Sequence, residues 1–275
     1  MRIAVVITTY NRPDALEAVL GGYLDQSDKG FELIVADDGS TGETAELVER
    51  FCSRAPFEVS HVWQEDQGFR AAAIRNKAVG GTDAEYIVFT DGDCIPSRTF
   101  VHQHRRLAEP DWFLSGNRVL LSRSFTRAVL EQRLPIQQWG WADWARARGR
   151  GDANRLMPLV RLPDGAFRKR TARTWQGVKT CNLSAWRADL LRVNGLDESY
   201  SGWGLEDSDL VIRLQHAGVL HKSARFAAAV FHLWHEEHDR SRLPENQERL
   251  TELLHSSRTQ AVLGLDRHFP ALARP

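Results

Sequence analysis

The chain has 275 residues, and its 36 lysines and arginines are balanced by 36 aspartates and glutamates. That length fits one large domain or two small ones with a sizeable core, and the balance excludes a global field directed at nucleic acid or an anionic membrane. The cysteines Cys52, Cys94 and Cys181 lack metal-type spacing, no apolar run reaches signal-peptide or transmembrane length, and a soluble cytoplasmic protein with free thiols is expected.

In chain order, RIAVVIT predicts a strand and Asp14 to Leu24 a helix, entered through Pro13, whose missing N–H costs nothing in a first turn. FELIVA and ETAELVERF repeat the pair. FEVSHVW, RAAAIRNKAV and EYIVFT then give strand, helix and strand. The alternation predicts right-handed crossovers and an α/β fold with a mainly parallel sheet flanked by helices. Ligands of such sheets bind beyond the carboxyl ends of the strands, where TTYNRP, DDGST, DQGFR and DGDC fall. In the second half, helical spacing runs from about Phe125 to Arg148. The basic, glycine-containing RARGRGDANR and DGAFRKRTAR read as a mobile loop or solvated surface. VKTCNLSAWRADLLRVNGLDE and GWGLEDSDLVIRLQHAG resume helical spacing, and FAAAVFHLWHEEH predicts a strand running into a histidine-rich turn.

The strand ends carry the chemistry. Asp38 in VADDGST fits an ordinary Asp-Gly turn, or a carboxylate accepting an imide N–H beside a Tyr10 ring stacked on a base. Arg70 and Arg75 fit either an answer to diphosphate charge or a solvated helix face. No GxGxxG follows the first strand, which argues against a dinucleotide site. Asp91 and Asp93 flank Gly92 after a buried strand. They are oxygen ligands suited to a hard divalent cation that also grips a diphosphate, the alternative being a bare acidic turn. Ile95 and Pro96 replace the later acidic positions of an EF-hand.

In GWGLEDSDL, helical spacing puts Asp207 in line with the apolar stripe of Leu210, Val211 and Leu214, with Glu206 and Asp209 to its side. A carboxylate on an inward stripe is a helix cap, a hydrogen-bonded group or a base in a pocket. Gly202 and Gly204 around Trp203 favour a bent backbone, with the ring either exposed as a sugar-stacking platform or packed in the core. FHLWHEEH offers His232, His235 and His238. In an extended strand His232 and His235 point to opposite faces, so at most one is expected at a common metal.

Together VVITTYNRP, VADDGST, QGFRAAAIRN, FTDGDCIP, NLSAWRADLLRVNGLDE and WGLEDSDLVIRL resemble, in order and spacing, a family-2 glycosyltransferase of the GT-A fold from residue 3 to about 240. WGLEDSDL is similar to the GWGxED motif of galactosyl- and N-acetylgalactosaminyltransferases and chondroitin polymerases. The resemblance implies a single GT-A domain with a nucleotide-sugar half over 1–117, an acceptor half over 118–240 and a helical tail over 241–275. It assigns Thr8, Tyr10 and Asp38 to the uridine with Arg70 nearby, and Asn11, Arg12 and Arg75 to the same donor-nucleotide site. Asp91 and Asp93 match the DxD motif that holds ribose and a Mn²⁺ or Mg²⁺ ion. His232, with His235 in reserve, completes the metal site. Asp207 matches the catalytic base, and Trp203, Gly204 and Glu206 the acceptor or donor sugar.

The implied activity is inverting transfer from a UDP-sugar to a saccharide or glycolipid acceptor of bacterial lipopolysaccharide, O-antigen or capsule. The chain lacks the QxxRW motif and membrane helices of processive synthases, so single additions are expected. The insert from about Trp139 to Arg173, including WGWADWARARGRG, has no placed counterpart and fits a peripheral contact with anionic lipid or a solvated loop. The alternatives are a nucleotidyltransferase, which should carry a glycine-rich phosphate loop near the first strand, and a non-catalytic nucleotide- or sugar-binding protein, against which Asp91, Asp93 and Asp207 stand.

Overall fold

The computed structural model describes residues 1–237 and 239–271. Four strands, β1 (Ile3–Thr9), β2 (Phe31–Asp37), β3 (Val59–Trp63) and β4 (Tyr86–Asp91), alternate with α1 (Pro13–Leu24), α2 (Gly42–Cys52) and α3 (Ala71–Gly80). β1 is apolar from Ile3 to Ile7 because both its faces are covered there. Ile3, Val5 and Ile7 pack with Leu16, Leu20, Leu47 and Phe51 of α1 and α2, whereas Ala4 and Val6 pack with Ala72, Ile74 and Ala78 of α3 on the other side. Parallel register aligns Thr8 with Asp91 and Thr9 with Asp37, so three strands deliver their polar ends to one edge.

Beyond β4 the chain forms β5 (Cys94–Pro96), α4 (Phe100–Leu107), β6 (Trp112–Ser115), β7 (Asn117–Leu120), α5 (Arg123–Glu131) and α6 (Trp141–Gly149). It continues through β8 (Asn182–Trp186), α7 (Arg187–Arg192), α8 (Glu206–His216), β9 (Leu220–Ser223), β10 (Ala229–His232) and α9 (Leu243–Leu254). The main sheet has the order β3-β2-β1-β4-β8-β6-β9, with β8 antiparallel to both neighbours. A second sheet, β5-β10-β7, pairs Cys94 with His232 and so folds the second half back over the end of β4.

Several expectations for the second half fail. The stretch over 178–198 is not one helix, because Asn182–Trp186 is the strand between β4 and β6. Its polar residues hid it: Asn182 Nδ2 donates to the carbonyls of Asn117 and Ala228, and Ser184 meets Tyr86 and His104. The helix expected from Phe125 to Arg148 is two helices with a 3-10 turn over Ile136–Gln138 between them. Pro135 cannot donate within a helix and disfavours helical backbone at Leu134, and Arg133 is already left-handed at φ 50°.

The segment DGAFRKRTAR is not wholly solvated. Arg168 is fully buried, and its guanidinium donates to the carbonyls of Leu162, Pro163, Ser223 and Arg225, pinning the insert to the end of β9. Trp144 of α6 stacks on Phe231 with ring centroids 4.4 Å apart. Helix α9 lays Leu250 and Leu253 on Ile212 of α8, and its Asn246 donates to the Gly204 carbonyl at 3.0 Å. Among the described residues no helix is long and apolar enough to cross a membrane, and all three cysteines are free.

Candidate active site

The ends of β1, β2 and β4 open onto a polar mouth. Asp38 is buried, with Oδ1 accepting from Gln64 Nε2 at 2.5 Å and Oδ2 from the Arg70 backbone N–H at 2.7 Å; burial pushes its pKa up. Tyr10 stands half-exposed above it and donates its hydroxyl to Asp66 at 2.9 Å. Asn11 is left-handed at φ 47°. Its backbone N–H donates to Ser40 Oγ and its Oδ1 accepts from the Thr41 N–H, which fixes the turn after β1. Arg12 pairs with Asp14, and the Arg70 side chain donates to the Glu65 carbonyl at 2.9 Å.

Arg75 is not on a solvated helix face. It is 4% exposed and faces the strand ends. Nε donates to Thr8 Oγ1 at 2.9 Å, Nη2 to Asp91 Oδ1 at 3.0 Å and Nη1 to Glu206 Oε1 at 3.2 Å. One guanidinium therefore ties the mouth of the parallel sheet to the start of α8. Burial raises the Asp91 pKa and the Arg75 charge pulls it back. Glu206 is likewise raised by burial and by Asp207, with Arg75 opposing.

Asp93 faces both histidines. Its Oδ2 lies 3.4 Å from His235 Nε2 and 3.7 Å from His232 Nε2, and the two rings are 5.2 Å apart. The expectation that only one could approach a shared ligand fails because β10 ends at His232. The chain then turns, and strand alternation no longer governs His235. His238 lies outside the described residues. Cys94 Sγ sits 3.3 Å from Asp93 Oδ1, and burial holds its pKa well above the ordinary thiol value, so it remains a thiol.

On the facing side, Gly202 (φ 71°), Gly204 (φ 106°) and Leu205 (φ 78°) bend the backbone into α8, as the glycines predicted. Asp207 is buried. Its Oδ1 accepts from the Ser208 N–H at 2.7 Å, and its Oδ2 lies 3.3 Å from Lys179 Nζ. Trp203 is half-buried, with the Arg240 guanidinium 5.0 Å above its ring. Helix α8 is buried from Glu206 to Leu214 rather than along one stripe. Asp209, expected to the side, is fully enclosed and paired with Arg213 at 2.5 Å and Arg258 at 3.5 Å, a structural network.

Sequence reasoning missed Lys179 and Arg118. Lys179 precedes β8 in a stretch misread as helix. Arg118 lies on β7, a strand of four residues that gives no period to read, and its Nη1 is 3.9 Å from Cys181 Sγ.

A mainly parallel sheet with carboxylates at its strand ends, faced by a glycine-bent helix start carrying Glu206 and Asp207, defines the GT-A class. Structures similar to this chain share the fold. TarS of S. aureus superposes with a TM-score of 0.63 at 15% identity, covering 97% of this chain and 41% of TarS. A mannosyltransferase from Pyrobaculum calidifontis, in complex with GDP-Man and Mn²⁺, gives 0.59 at 19% identity over 86% of this chain and 58% of that one. TarS 1–349 in complex with UDP also gives 0.59, at 16% identity over 99% and 70%.

Residues 4–163 match the family model of Glycosyl transferase family 2, and residues 166–239 that of the N-terminal domain of galactosyltransferase. The chain belongs to glycosyl transferase family 2. It is 30% identical to validoxylamine A glucosyltransferase of Streptomyces hygroscopicus subsp. jinggangensis over 79% of this chain and 52% of that protein. It is 26% identical to chondroitin synthase of Escherichia coli over 86% and 34%. This chain thus spans about half, or less, of the length of these relatives.

Proposed function

We propose that this chain is an inverting, metal-dependent, non-processive glycosyltransferase acting from the cytoplasm. It moves one sugar from a UDP-sugar to a hydroxyl of a saccharide or glycolipid acceptor in bacterial surface polysaccharide synthesis. The observation that carries the reading is the Arg75 clasp. It holds Asp91, on the donor side, and Glu206, beside Asp207 on the acceptor side, at 3.0 and 3.2 Å from one guanidinium. A reaction that joins two substrates needs both sides fixed relative to each other. The similarity to structures holding UDP, or GDP-Man with Mn²⁺, supports a nucleotide-sugar donor.

Tyr10 and Asp38 take the base, with the Tyr10 ring exposed for stacking. The convergence of the Asp93 carboxylate with His232 and His235 imidazole nitrogens is a donor set that fits a divalent cation, and these residues with Asp91 would hold Mn²⁺ or Mg²⁺. When bound, that ion neutralises charge on the departing diphosphate. Asp207 takes the proton from the acceptor hydroxyl as its oxygen bonds to the anomeric carbon. The bond from that carbon to the diphosphate oxygen breaks on the opposite side, so configuration inverts. Lys179 holds Asp207 Oδ2, and Trp203 with Gly204 shapes the sugar pocket.

Calorimetric titration with UDP-sugars in Mn²⁺, beside a transfer assay, tests the assignment. Asp207→Asn is expected to bind donor as the wild type does while losing transfer by roughly a hundredfold or more, the scale of general-base catalysis. Lost donor binding in a folded variant would make Asp207 a donor-site residue and Glu206 the better candidate for base.

A further inference from the structure

We propose that Arg118 is the side chain that grips the leaving diphosphate, a role separate from that of Arg75. The inference rests on the glycosyltransferase reading and assigns a residue that neither spacing nor motif singled out. The arginines already described at the strand-end mouth are wholly or partly engaged by the protein: Arg75 spends its guanidinium on Thr8, Asp91 and Glu206, Arg12 pairs with Asp14, and Arg70 gives Nη2 to the Glu65 carbonyl while its buried Nε stays unpartnered.

Arg118 differs. In register it lies opposite Val230, two residues before His232 on the neighbouring strand, so the period of two puts Arg118 and His232 on one face of the small sheet. Its Nη1 reaches Cys181 Sγ at 3.9 Å, and ligand atoms of Cys181, Cys94 and Asp91 all lie within 4.8 Å of one another. The guanidinium therefore stands beside the Asp91–Asp93 turn. Yet among the described residues it has no carboxylate within 4.0 Å, and its one side-chain partner is that weak sulfur acceptor. The Arg118 carbonyl accepts from Arg155 at 3.1 Å, which anchors the strand without using the side chain.

A half-buried guanidinium has five N–H donors to satisfy, and thiols satisfy them poorly. A diphosphate offers strong acceptors in the planar geometry that arginine matches and lysine does not. Burial opposes the charged guanidinium, and the nearby negative groups, the Asp91 and Asp93 carboxylates among them, more than offset it, so the side chain stays cationic. A cation there helps most when charge develops on the bridging oxygen as the sugar leaves.

The test compares wild type, Arg118→Lys and Arg118→Ala in calorimetric titrations with UDP, UMP and uridine in the presence of Mn²⁺, with turnover measured beside them. Arg118→Ala is expected to weaken UDP binding at least tenfold, UMP binding less and uridine binding not at all. It should lower kcat by roughly a hundredfold, with partial recovery by added guanidinium. Arg118→Lys, which keeps the charge, should fall between. Equal losses for UDP and uridine would make Arg118 structural and overturn the assignment. Wild-type protein with no affinity for any nucleoside diphosphate would overturn the functional reading as well, whereas UDP binding unaffected by Arg118→Ala would overturn this assignment alone.

Discussion

Replacing Arg75 with methionine keeps most of the side-chain volume and removes the charge that two carboxylates share. Loss of one partner from a buried ion pair typically costs about 3–5 kcal/mol, because the remaining charge is stranded. The two carboxylates here are not equally stranded: the Asp91 side chain is 32% exposed and regains water, whereas that of Glu206 is 11% exposed and does not. The expected cost is therefore near the lower end, about 3 kcal/mol, and most of it belongs to Glu206.

The pH dependence gives the result a sign. The folded-state pKa of Glu206 already lies above its ordinary value, so the folded protein binds its proton more readily than the unfolded chain. The penalty for ionising it is absent below the unfolded pKa and grows as pH rises through the folded one. Arg75 opposes that rise, so its removal lifts the folded pKa further and widens the window. Urea denaturation should show a larger deficit for Arg75→Met at pH 7.5 than at pH 5, and adding Glu206→Gln should recover part of it. A deficit below about 1 kcal/mol at pH 7.5, or one equal at both pH values, would refute the clasp, since exposed pairs behave that way.

His104 is fully enclosed between Ser184 and Asn182, and burial pushes its pKa down to about 4. The unfolded chain takes up this proton first on acidification. Stability attributable to the neutral ring is complete above about pH 6.5 and drains away toward pH 4, by roughly 3 kcal/mol. Denaturation midpoints for His104→Asn should lose that slope, and an unchanged slope would mean that His104 is not its source. The insert exposes Trp141, Met157, Leu162 and Phe167 among exposed Arg146, Arg148, Arg161 and Arg170. Vesicles rich in anionic lipid should co-sediment with the protein at low salt and release it at high salt. No preference over neutral vesicles would leave the insert as a solvated surface.

The first half was legible because three of its four strands, β1, β2 and β4, are buried apolar runs and strand and helix alternate regularly along the chain, so composition and order agree. In the second half the strands run only three to five residues, too short for a period, and β8 carries Asn182 and Ser184 where a core strand is expected to be apolar. Their partners, Asn117, Ala228, Tyr86 and His104, are distant in sequence. The strand-end carboxylates could be located from the sequence because a turn after an apolar run marks a sheet edge. The environment of Arg75 could not, since α3 is buried nearly all round and AAAIRNKAV has no polar face to betray an inward arginine.

Charge at the mouth explains why these misses matter. Asp91, Asp93, Glu206 and Asp207 bring four carboxylates together from β4, the turn after it and α8. The described cations among them are Arg75, bonded to two; Lys179, bonded to one; and Arg118, bonded to none. His232 beside Asp93 adds little positive charge at neutral pH, since burial lowers its pKa. A mouth so composed repels a nucleoside diphosphate unless further positive charge enters with it. Reading Arg75 as the diphosphate's partner would leave Asp91 and Glu206 uncompensated whenever donor bound. On the proposed reading, with Arg75 retained by the protein, the donor's charge would fall to Arg118 and to a divalent cation at Asp93. The two halves can then stay locked through a cycle in which the anion arrives and leaves.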